Sequence, residues 1–385
     1  MKILMFAIAS SYTPKLGYQE NLLSKAFADK GHQVIIISEN YCYENGIRLE
    51  KNEDTFYDGK VLVIRKKYFK FLNDFISGKV RYIRKIKNLL DDIKPDLIFH
   101  HGLATLSMLE INKYVKKNNM TYIVDSHEDY NNSATNFLSK YILHKTFYRF
   151  IIWLSDKYIS KYYYVSTECK KFITEIYKVK NSKTKYLPLG YYDLEEISYQ
   201  NRQKLRLKMG IKPDTIVFIH SGKLDVKKNT MSIIEAFSMN RSSRLKLFII
   251  GKILDKKLEK EILYTISNDR RITFIPWLEQ ETLNEYIMIS DVYLQPGTQS
   301  STFHIGAKYG NLLVSSWNES YQDLYGDSII YVSNKNDLNN LIVNLLKDNS
   351  ILKKSNRSKE ISINKLDYSK QVDLILKNYI RKNYE

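Results

Sequence analysis

Short apolar runs alternate with amphipathic segments along the chain, and each run has the length of one buried β-strand. In the first half, the runs predict strands at 1–9, 34–38, 61–64, 96–100, 121–125, 162–166 and 185–189. A helix is predicted at 21–30, where apolar residues recur at helical spacing before Gly31. Strand, loop, helix, glycine and strand in this order predict the opening of a doubly wound sheet.

The same alternation restarts in the second half, after a break at Pro188–Gly190. Strands are predicted at 215–220, 245–250, 271–275 and 291–295, with helices at 230–239 and 281–289. We therefore predict an α/β protein of two Rossmann-like, doubly wound parallel-sheet domains, 1–190 and 191–363, facing across a cleft. The Lys-rich remainder, 364–385, predicts a C-terminal helix that packs back on the first domain.

The chain of 385 residues has 60 Lys and Arg against 42 Asp and Glu, a formal net charge of +18. This excess favours an anionic partner: nucleic acid, anionic lipid or a phosphorylated small molecule. Cys42 and Cys169 are far apart, so no disulfide framework or cysteine metal site is indicated, and a reducing, cytoplasmic location is expected. No run of about 18 apolar residues is present, so no membrane span is predicted.

Much of the positive charge lies in residues 65–87, which hold nine basic residues and one acid, Asp74. Apolar residues recur at helical spacing from Ile76 to Ile93, with Arg81, Arg84 and Lys85 on the other side. Residues 65–93 therefore predict a helix in an anionic membrane interface, which would make the protein peripheral at the inner face of the cell membrane. The alternative is an ordinary amphipathic helix packed on the sheet. No nucleic-acid-binding motif accompanies this charge, so no nucleic-acid partner is predicted.

Histidines and carboxylates follow two of the predicted strands in the first half. His101 follows the strand at 96–100, Asp125 ends the strand at 121–125, and His127 follows two residues later. These positions are typical of ligand-side loops in a parallel sheet. A zinc site of His100, His101, His127 and Glu128 matches no common metal spacing, and no metal is predicted. The chain also lacks G-x-G-x-x-G, so no dinucleotide cofactor is expected.

In the second half, the apolar run 217–219 leads into a basic segment with a glycine. Gly222 permits a close backbone approach, and Lys223 and Lys228 place two ammonium groups beyond the carboxyl end of the strand. The alternative is a solvated basic turn.

Gly222-Lys-Leu-Asp-Val-Lys-Lys-Asn229 resembles the G-R-L-x-x-x-K-G motif of the GT-B-fold retaining glycosyltransferases of family four (group 1). The apolar strand that ends at Gly251 and the stretch from Tyr186 to Gly190 are similar to further segments of that family. The resemblance implies that Lys223 and Lys228 hold the diphosphate of a nucleotide-sugar donor. It also implies that His127 faces the transferred sugar. We assign Gly17, Tyr18, Glu20, His101 and Asp125 to the acceptor side.

The chain departs from the family at a pair of glutamates that are separated by seven intervening residues. Gly297 and Ile305 stand at those positions, and neither can replace a carboxylate. We expect the neighbouring residues to bind the donor instead, with the helix start offering N–H groups to a phosphate and His304 contacting a ribose hydroxyl. This predicted set is Gln299, Ser300, Ser301, Thr302 and His304.

The resemblance predicts a glycosyltransferase that moves a sugar from a nucleotide-diphospho-sugar to a glycan or lipid-linked acceptor in surface-polysaccharide synthesis. It would be retaining and use no cofactor. No D-x-D follows a strand, so the two lysines would replace a divalent metal. The alternatives are a GT-B sugar-nucleotide epimerase and a catalytically inactive, membrane-associated subunit. The missing glutamates favour the inactive subunit, and the retained lysines count against it.

Overall fold

The structure is a computed structural model that describes residues 1–44, 47–192, 198–253 and 255–384. The chain divides into two compact units, Met1–Tyr192 with Tyr368–Glu385, and Asp193–Asp367. The boundaries expected after residues 190 and 363 lie close to these divisions. Part of the junction expected near 190–210 lies outside the described residues.

The first unit is built on an eight-stranded sheet, with one separate hairpin of two strands. Its strands are β1 Lys2–Ala7, β2 Gln33–Glu39, β3 Tyr41–Glu44, β4 Ile47–Glu50, β5 Thr55–Asp58, β6 Val61–Lys66, β7 Leu97–His100, β8 Thr121–Ser126, β9 Lys161–Tyr164 and β10 Thr184–Tyr186. Its first helices are α1 Gln19–Asp29, α2 Asp74–Val80, α3 Ile86–Ile93, α4 Met108–Asn118, a π-helix Leu138–Tyr148, α5 Arg149–Ser155, α6 Thr167–Ile176 and a 3₁₀ turn Asn181–Lys183.

The strand order in this sheet is β10-β9-β8-β7-β1-β2-β6-β5, parallel except for β5. Because β1 is followed by β2 on one side and later by β7 on the other, the direction of winding reverses beside β1. Side chains of β1 alternate between two buried clusters, with Leu4 and Phe6 on one face and Ile3 and Met5 on the other. Both faces are covered, which explains why the strands appear in the sequence as unbroken apolar runs.

The second unit has a six-stranded parallel sheet in the order β13-β12-β11-β14-β15-β16. Its strands are β11 Ile216–Leu224, β12 Leu245–Ile253, β13 Ile272–Ile275, β14 Val292–Gln295, β15 Leu312–Ser315 and β16 Ile329–Tyr331. Its helices are α7 Tyr199–Lys208, α8 Thr230–Ser238, α9 Lys256–Ser267, α10 Gln280–Ile289, α11 Thr302–Lys308, α12 Glu319–Tyr325, α13 Lys335–Lys347 and α14 Lys354–Lys365, with 3₁₀ turns Val226–Lys228, Gly326–Ser328 and Asn349–Lys353. Here the winding reverses between β11 and β14. The predicted pair of Rossmann-like α/β sheets is confirmed.

The C-terminal helix α15, Tyr368–Tyr384, belongs to the first unit. Val372 and Ile375 are buried in the same cluster as residues of α1 and β1. The Tyr368 hydroxyl accepts a hydrogen bond from the Gly190 backbone N–H at 3.0 Å. The last helix is therefore part of the first unit's core, although it follows the second unit in sequence.

The structure does not contain the single amphipathic helix predicted for 65–93. Arg81 and Lys85 have left-handed backbone conformations, so two short helices, α2 and α3, replace the single amphipathic helix. Ile83, Ile86 and Leu90 are buried in the core of the first unit. The apolar stripe therefore packs on the sheet, as in the alternative interpretation, and is not available to lipid. Among the helices that the structure describes, none combines the length and apolar character needed to cross a bilayer.

The basic segment also differs from its prediction, because β11 extends to Leu224 and includes Gly222 and Lys223. Gly222 pairs with Gly251 of β12 in the parallel register. A Cβ on Gly251 would lie 1.9 Å from the Gly222 carbonyl oxygen, so a side chain there would block this close approach. The glycines thus permit the strands to continue where a turn was predicted.

Candidate active site

Polar residues of the first unit meet at the carboxyl ends of three adjacent strands. Glu20 lies in the first turn of α1 after β1, His101 follows β7, and Asp125 and His127 lie at the end of β8. Since β8, β7 and β1 are neighbours, these four side chains form one cluster beside the point where the winding reverses. Ligands of open α/β sheets bind at such points.

Asp125 is the centre of this cluster. Its Oδ1 accepts the Gly102 backbone N–H at 2.6 Å, and its Oδ2 lies 3.0 Å from His101 Nδ1. His101 Nε2 lies 3.5 Å from Glu20 Oε2, and His127 Nε2 lies 3.4 Å from Asp125 Oδ2. Asp125, His101 and Glu20 are buried, whereas the His127 side chain is 33% exposed. Of these four side chains, His127 is thus the one most accessible to a ligand.

Charges within the cluster determine its protonation. Burial by itself lowers the pKa of His101, but Asp125 and Glu20 outweigh this effect and raise that pKa to about 9. Burial by itself would raise the pKa of Asp125, yet His101 and His127 hold it well below its ordinary value. At neutral pH His101 is therefore a cation, and it fixes the Asp125 carboxylate that faces His127.

Metal-ligating atoms of His101, Asp125 and His127 lie within 4.8 Å of one another. His101 Nδ1 and Asp125 Oδ2, at 3.0 Å, are already within hydrogen-bonding distance of each other. The four-residue zinc set that was considered from the sequence is not brought together as a ligand shell. His100 is buried and bonded to the Gly102 carbonyl oxygen and Thr105, and burial lowers its pKa to about 4.

The other residues assigned to the acceptor side lie in the loop between β1 and α1. Gly17 is half-buried, and Tyr18 is exposed immediately before α1. The Tyr18 carbonyl oxygen accepts the backbone N–H groups of Asn21 and Leu22. Both residues therefore lie at the same edge of the sheet as the carboxylate–histidine cluster.

In the second unit, Lys223 lies near the end of the central strand β11, and Lys228 lies in the turn that follows it. Lys223 is exposed near the end of that strand, whereas Lys228 is buried at the end of the 3₁₀ turn. Asn229 then adopts a left-handed conformation, and α8 begins at Thr230. The chain reversal places both lysines at the edge where β11 and β14 end.

Lys228 connects this turn to the loop that follows β14. Its Nζ donates to the carbonyl oxygens of Thr298 at 2.9 Å and Gln299 at 3.1 Å. Burial lowers the pKa of Lys228 to about 8, although Asp225 opposes this shift. The buried ammonium thus uses two of its three N–H groups to bind the loop that contains Gln299, one of the predicted donor-binding residues.

The surroundings of Gly297 explain why one of the two family glutamates is absent. A Cβ at this position would lie 2.1 Å from the Lys227 carbonyl oxygen and 2.7 Å from the Lys228 Cα. Asn229 Nδ2 also donates to the Pro296 carbonyl oxygen at 2.6 Å, which holds the two loops together. No side chain fits at 297 in this arrangement. Ile305, at the second glutamate position, is buried.

Four hydroxyl groups form a connected cluster beside Lys228. Ser221 Oγ lies 2.6 Å from the Tyr293 hydroxyl, which lies 2.5 Å from Thr302 Oγ1, and Ser300 Oγ lies 2.8 Å from the same Thr302 atom. Sequence reasoning selected Ser300 and Thr302 but missed Ser221 and Tyr293. A signal was present, because each of the two places a hydroxyl in, or directly after, a predicted strand that leads into a selected loop.

The remaining predicted donor residues have different environments. Gln299 is exposed and uses its backbone carbonyl for Lys228, and Ser301 precedes α11. His304 is buried against Phe303 and Tyr325, and its Nδ1 is bonded to the Tyr325 hydroxyl at 2.8 Å. Burial lowers its pKa to about 4. The structure therefore does not support a ribose contact from His304, because the imidazole belongs to an aromatic cluster.

Two family models match the chain in order: Glycosyltransferase Family 4 over residues 21–192, and Glycosyl transferases group 1 over residues 201–303. Together they match more than two thirds of the sequence. The chain belongs to the group 1 glycosyltransferases. This family member is 27% identical over 244 residues to an uncharacterized glycosyltransferase of Methanocaldococcus jannaschii. The match covers 60% of the chain and 52%, about half, of that relative.

Solved structures place this glycosyltransferase family member in the expected fold. Sucrose-phosphate synthase from Thermosynechococcus elongatus has a TM-score of 0.71 at 13% identity, with 99% of each chain covered. HepE from Anabaena, solved with UDP and glucose, has a TM-score of 0.66 at 15% identity, with 98% of this chain and 100% of HepE covered. The GT-B fold is thus confirmed, and at these identities the likeness establishes the fold alone.

Proposed function

We propose that this protein transfers a sugar from a nucleotide-diphospho-sugar to a hydroxyl of a glycan or lipid-linked acceptor in surface-polysaccharide synthesis. The observation that carries the proposal is the pair Lys223 and Lys228 beside the hydroxyl cluster, where the second sheet reverses its winding. Membership in the group 1 glycosyltransferases and the likeness to HepE, solved with UDP, support a nucleotide-sugar donor. We place the reaction in the cytoplasm, at the inner face of the membrane.

The proposed chemistry follows from the charge of the leaving group. The bond between the sugar C1 and the diphosphate oxygen breaks, and negative charge develops on that oxygen. Lys223 and Lys228 neutralise this charge, and the hydroxyl groups of Ser300 and Thr302 donate hydrogen bonds to the phosphates. Two preorganised cations supply charge that a divalent metal would otherwise provide.

The proposed stereochemical outcome is retention. The acceptor oxygen bonds to C1 on the face from which the diphosphate leaves, and the departing phosphate oxygen takes the acceptor's proton. No additional base is required, since the leaving group itself accepts the proton. This accounts for a reaction without carboxylates at positions 297 and 305.

We assign a hydrogen bond to the transferred sugar to His127. Its imidazole is partly exposed, while Asp125 lies 3.4 Å from its Nε2 and is itself held by His101. Asp125 and His101 are thus positioning residues in this proposal. Gly17, Tyr18 and Glu20 are proposed to lie on the acceptor side, with Glu20 acting through His101.

Incubating the pure protein with a panel of nucleotide-sugars, with and without lipid-linked and glycan acceptors, tests the proposal. A transferase releases nucleoside diphosphate and elongates an acceptor, an epimerase changes the sugar of its donor, and an inactive subunit binds without turnover. The Lys223→Met, Lys228→Met variant should lose turnover, whereas Lys227→Met, an exposed neighbour in the same turn, should keep it. Equal activity in all three proteins would refute the donor assignment.

A further inference from the structure

The π-helix Leu138–Tyr148 and α5 form one continuous helical segment of the first unit, because Tyr148 and Arg149 both keep helical backbone angles. Its inner side is fixed at two points. His144 Nδ1 is bonded to the Tyr177 hydroxyl at 2.8 Å, and the Tyr148 hydroxyl donates to the Lys79 carbonyl oxygen at 2.6 Å. These bonds fix which side of the segment faces outward.

The outward side is apolar. Six large apolar or aromatic side chains between residues 137 and 153 are exposed, and we call them the 137–153 face. They are Phe137, Leu138, Tyr141, Ile142, Phe150 and Trp153. Single exposed apolar residues are ordinary, but six within 17 residues form a patch of the kind that marks an interaction surface.

The charge around the 137–153 face has one sign. Residues 131–155 contain Lys140, Lys145 and Arg149 and no Asp or Glu. Lys145 Nζ lies 4.5 Å from the centre of the Tyr141 ring, so its stem lies along the apolar surface with the ammonium at the edge. Within the part of the chain that the structure describes, none of the three cations forms an ion pair with a carboxylate. The surface thus combines exposed apolar groups with uncompensated positive charge.

The neighbouring helix α2 has a similar composition. Its end is joined to the segment through the bond from Tyr148 to Lys79. Leu72 and Phe75, before and within α2, are exposed, and Lys79 Nζ lies 5.6 Å from the centre of the Phe75 ring. The same combination of exposed apolar groups and a cation is therefore present on both elements.

We propose that the 137–153 face docks the protein on a bilayer that contains anionic lipids. Exposed aromatic and aliphatic side chains with basic residues and no acids are the composition of helices that lie in the headgroup region. A lipid surface satisfies both features, because the apolar side chains enter the acyl boundary while Lys140, Lys145 and Arg149 remain among the lipid phosphates. The proposal does not depend on the transferase reaction, since vesicle binding can be measured without turnover.

The chain offers a closely matched control. Leu138 and Trp153 are 65% and 68% exposed, and Leu207 and Trp317 of the second unit are 64% and 68% exposed. The variants Leu138→Gln with Trp153→Gln, and Leu207→Gln with Trp317→Gln, remove the same side-chain types at the same exposure. Flotation of the full chain with vesicles of phosphatidylcholine and phosphatidylglycerol should show loss of binding in the first variant only.

Charge is tested separately. Each Lys or Arg near an anionic membrane surface strengthens the binding of a protein to that membrane by about fivefold. Lys140→Glu with Lys145→Glu should therefore weaken vesicle binding by at least about 25-fold. Binding should also decrease with salt and be weak on vesicles of phosphatidylcholine alone.

A spectroscopic reporter locates the contact. In a chain that keeps Trp153 while Trp277 and Trp317 are changed to Phe, the fluorescence should shift to shorter wavelength when anionic vesicles are added. Absence of this shift, equal binding to neutral vesicles, or equal loss in the matched control would overturn the proposal. The alternative outcome is that the protein associates with itself in the absence of lipid. If Leu138→Gln with Trp153→Gln abolished such self-association, the occupant of the face would be a second copy of the chain and the proposal would be overturned.

Discussion

Replacing Lys228 with methionine separates its structural contribution from its proposed contribution to the reaction. In the folded protein, burial lowers the pKa of Lys228 from 10.5 to about 8. A shift of this size means that the fold disfavours the charged lysine, relative to the neutral amine, by about 3 kcal/mol. Lys228→Met removes this cost together with the bonds to Thr298 and Gln299, which contribute about 1.5–3 kcal/mol each. The opposing effects should leave the free energy of unfolding within about 2–3 kcal/mol of wild type.

The reaction should respond differently. Because the diphosphate gains charge in the transition state, loss of the ammonium should lower kcat by about a hundredfold or more, beyond any rise in KM. Urea unfolding at pH 7 measures the stability, and nucleoside diphosphate release measures the turnover. Lys227→Met should match wild type in both assays. A Lys228→Met protein with normal kcat and a raised KM, or with both constants unchanged, would contradict the proposed role of Lys228.

Four further predictions concern pH, packing and the first unit. A bound diphosphate should raise the pKa of Lys228, so the protein should take up a proton when it binds UDP above about pH 8. Calorimetry in two buffers of different ionisation enthalpy measures this uptake, and its absence would contradict the prediction. Gly297→Ala should weaken UDP binding and lower the urea midpoint because its Cβ would lie 2.1 Å from a carbonyl oxygen. Gly78→Ala, in helix α2 with open space around it, should lower neither. His101→Gln should destabilise the fold most below pH 6.5, and the difference from wild type should disappear as pH rises through about 9. His127→Ala should lower turnover more than UDP affinity, and full activity in the folded variant would show that this placement is wrong.

The sequence by itself determined the alternation of strands and helices and therefore the two doubly wound sheets. Strands covered on both faces require apolar runs, and those runs are local in sequence. It also located the polar residues that follow β7, β8 and β11, because such residues interrupt the pattern directly after a strand. The lysines and histidines at the strand ends could be selected on this basis.

Only the tertiary structure decided what each amphipathic stripe contacts. A helical apolar stripe has the same spacing whether it packs on a sheet or lies on lipid, so residues 76–93 suggested a membrane surface although Ile83, Ile86 and Leu90 are in the core. The exposed 137–153 face has no simple helical period, because part of it is a π-helix. His304 was assigned to a ligand because its partner Tyr325 is distant in sequence. Gly297 appeared to be only a lost glutamate until its contact with the Lys227 carbonyl oxygen showed that two loops meet there. Apart from the π-helix, each of these outcomes depends on contacts between separate segments of the chain, and local sequence pattern carries no information about which segments will meet.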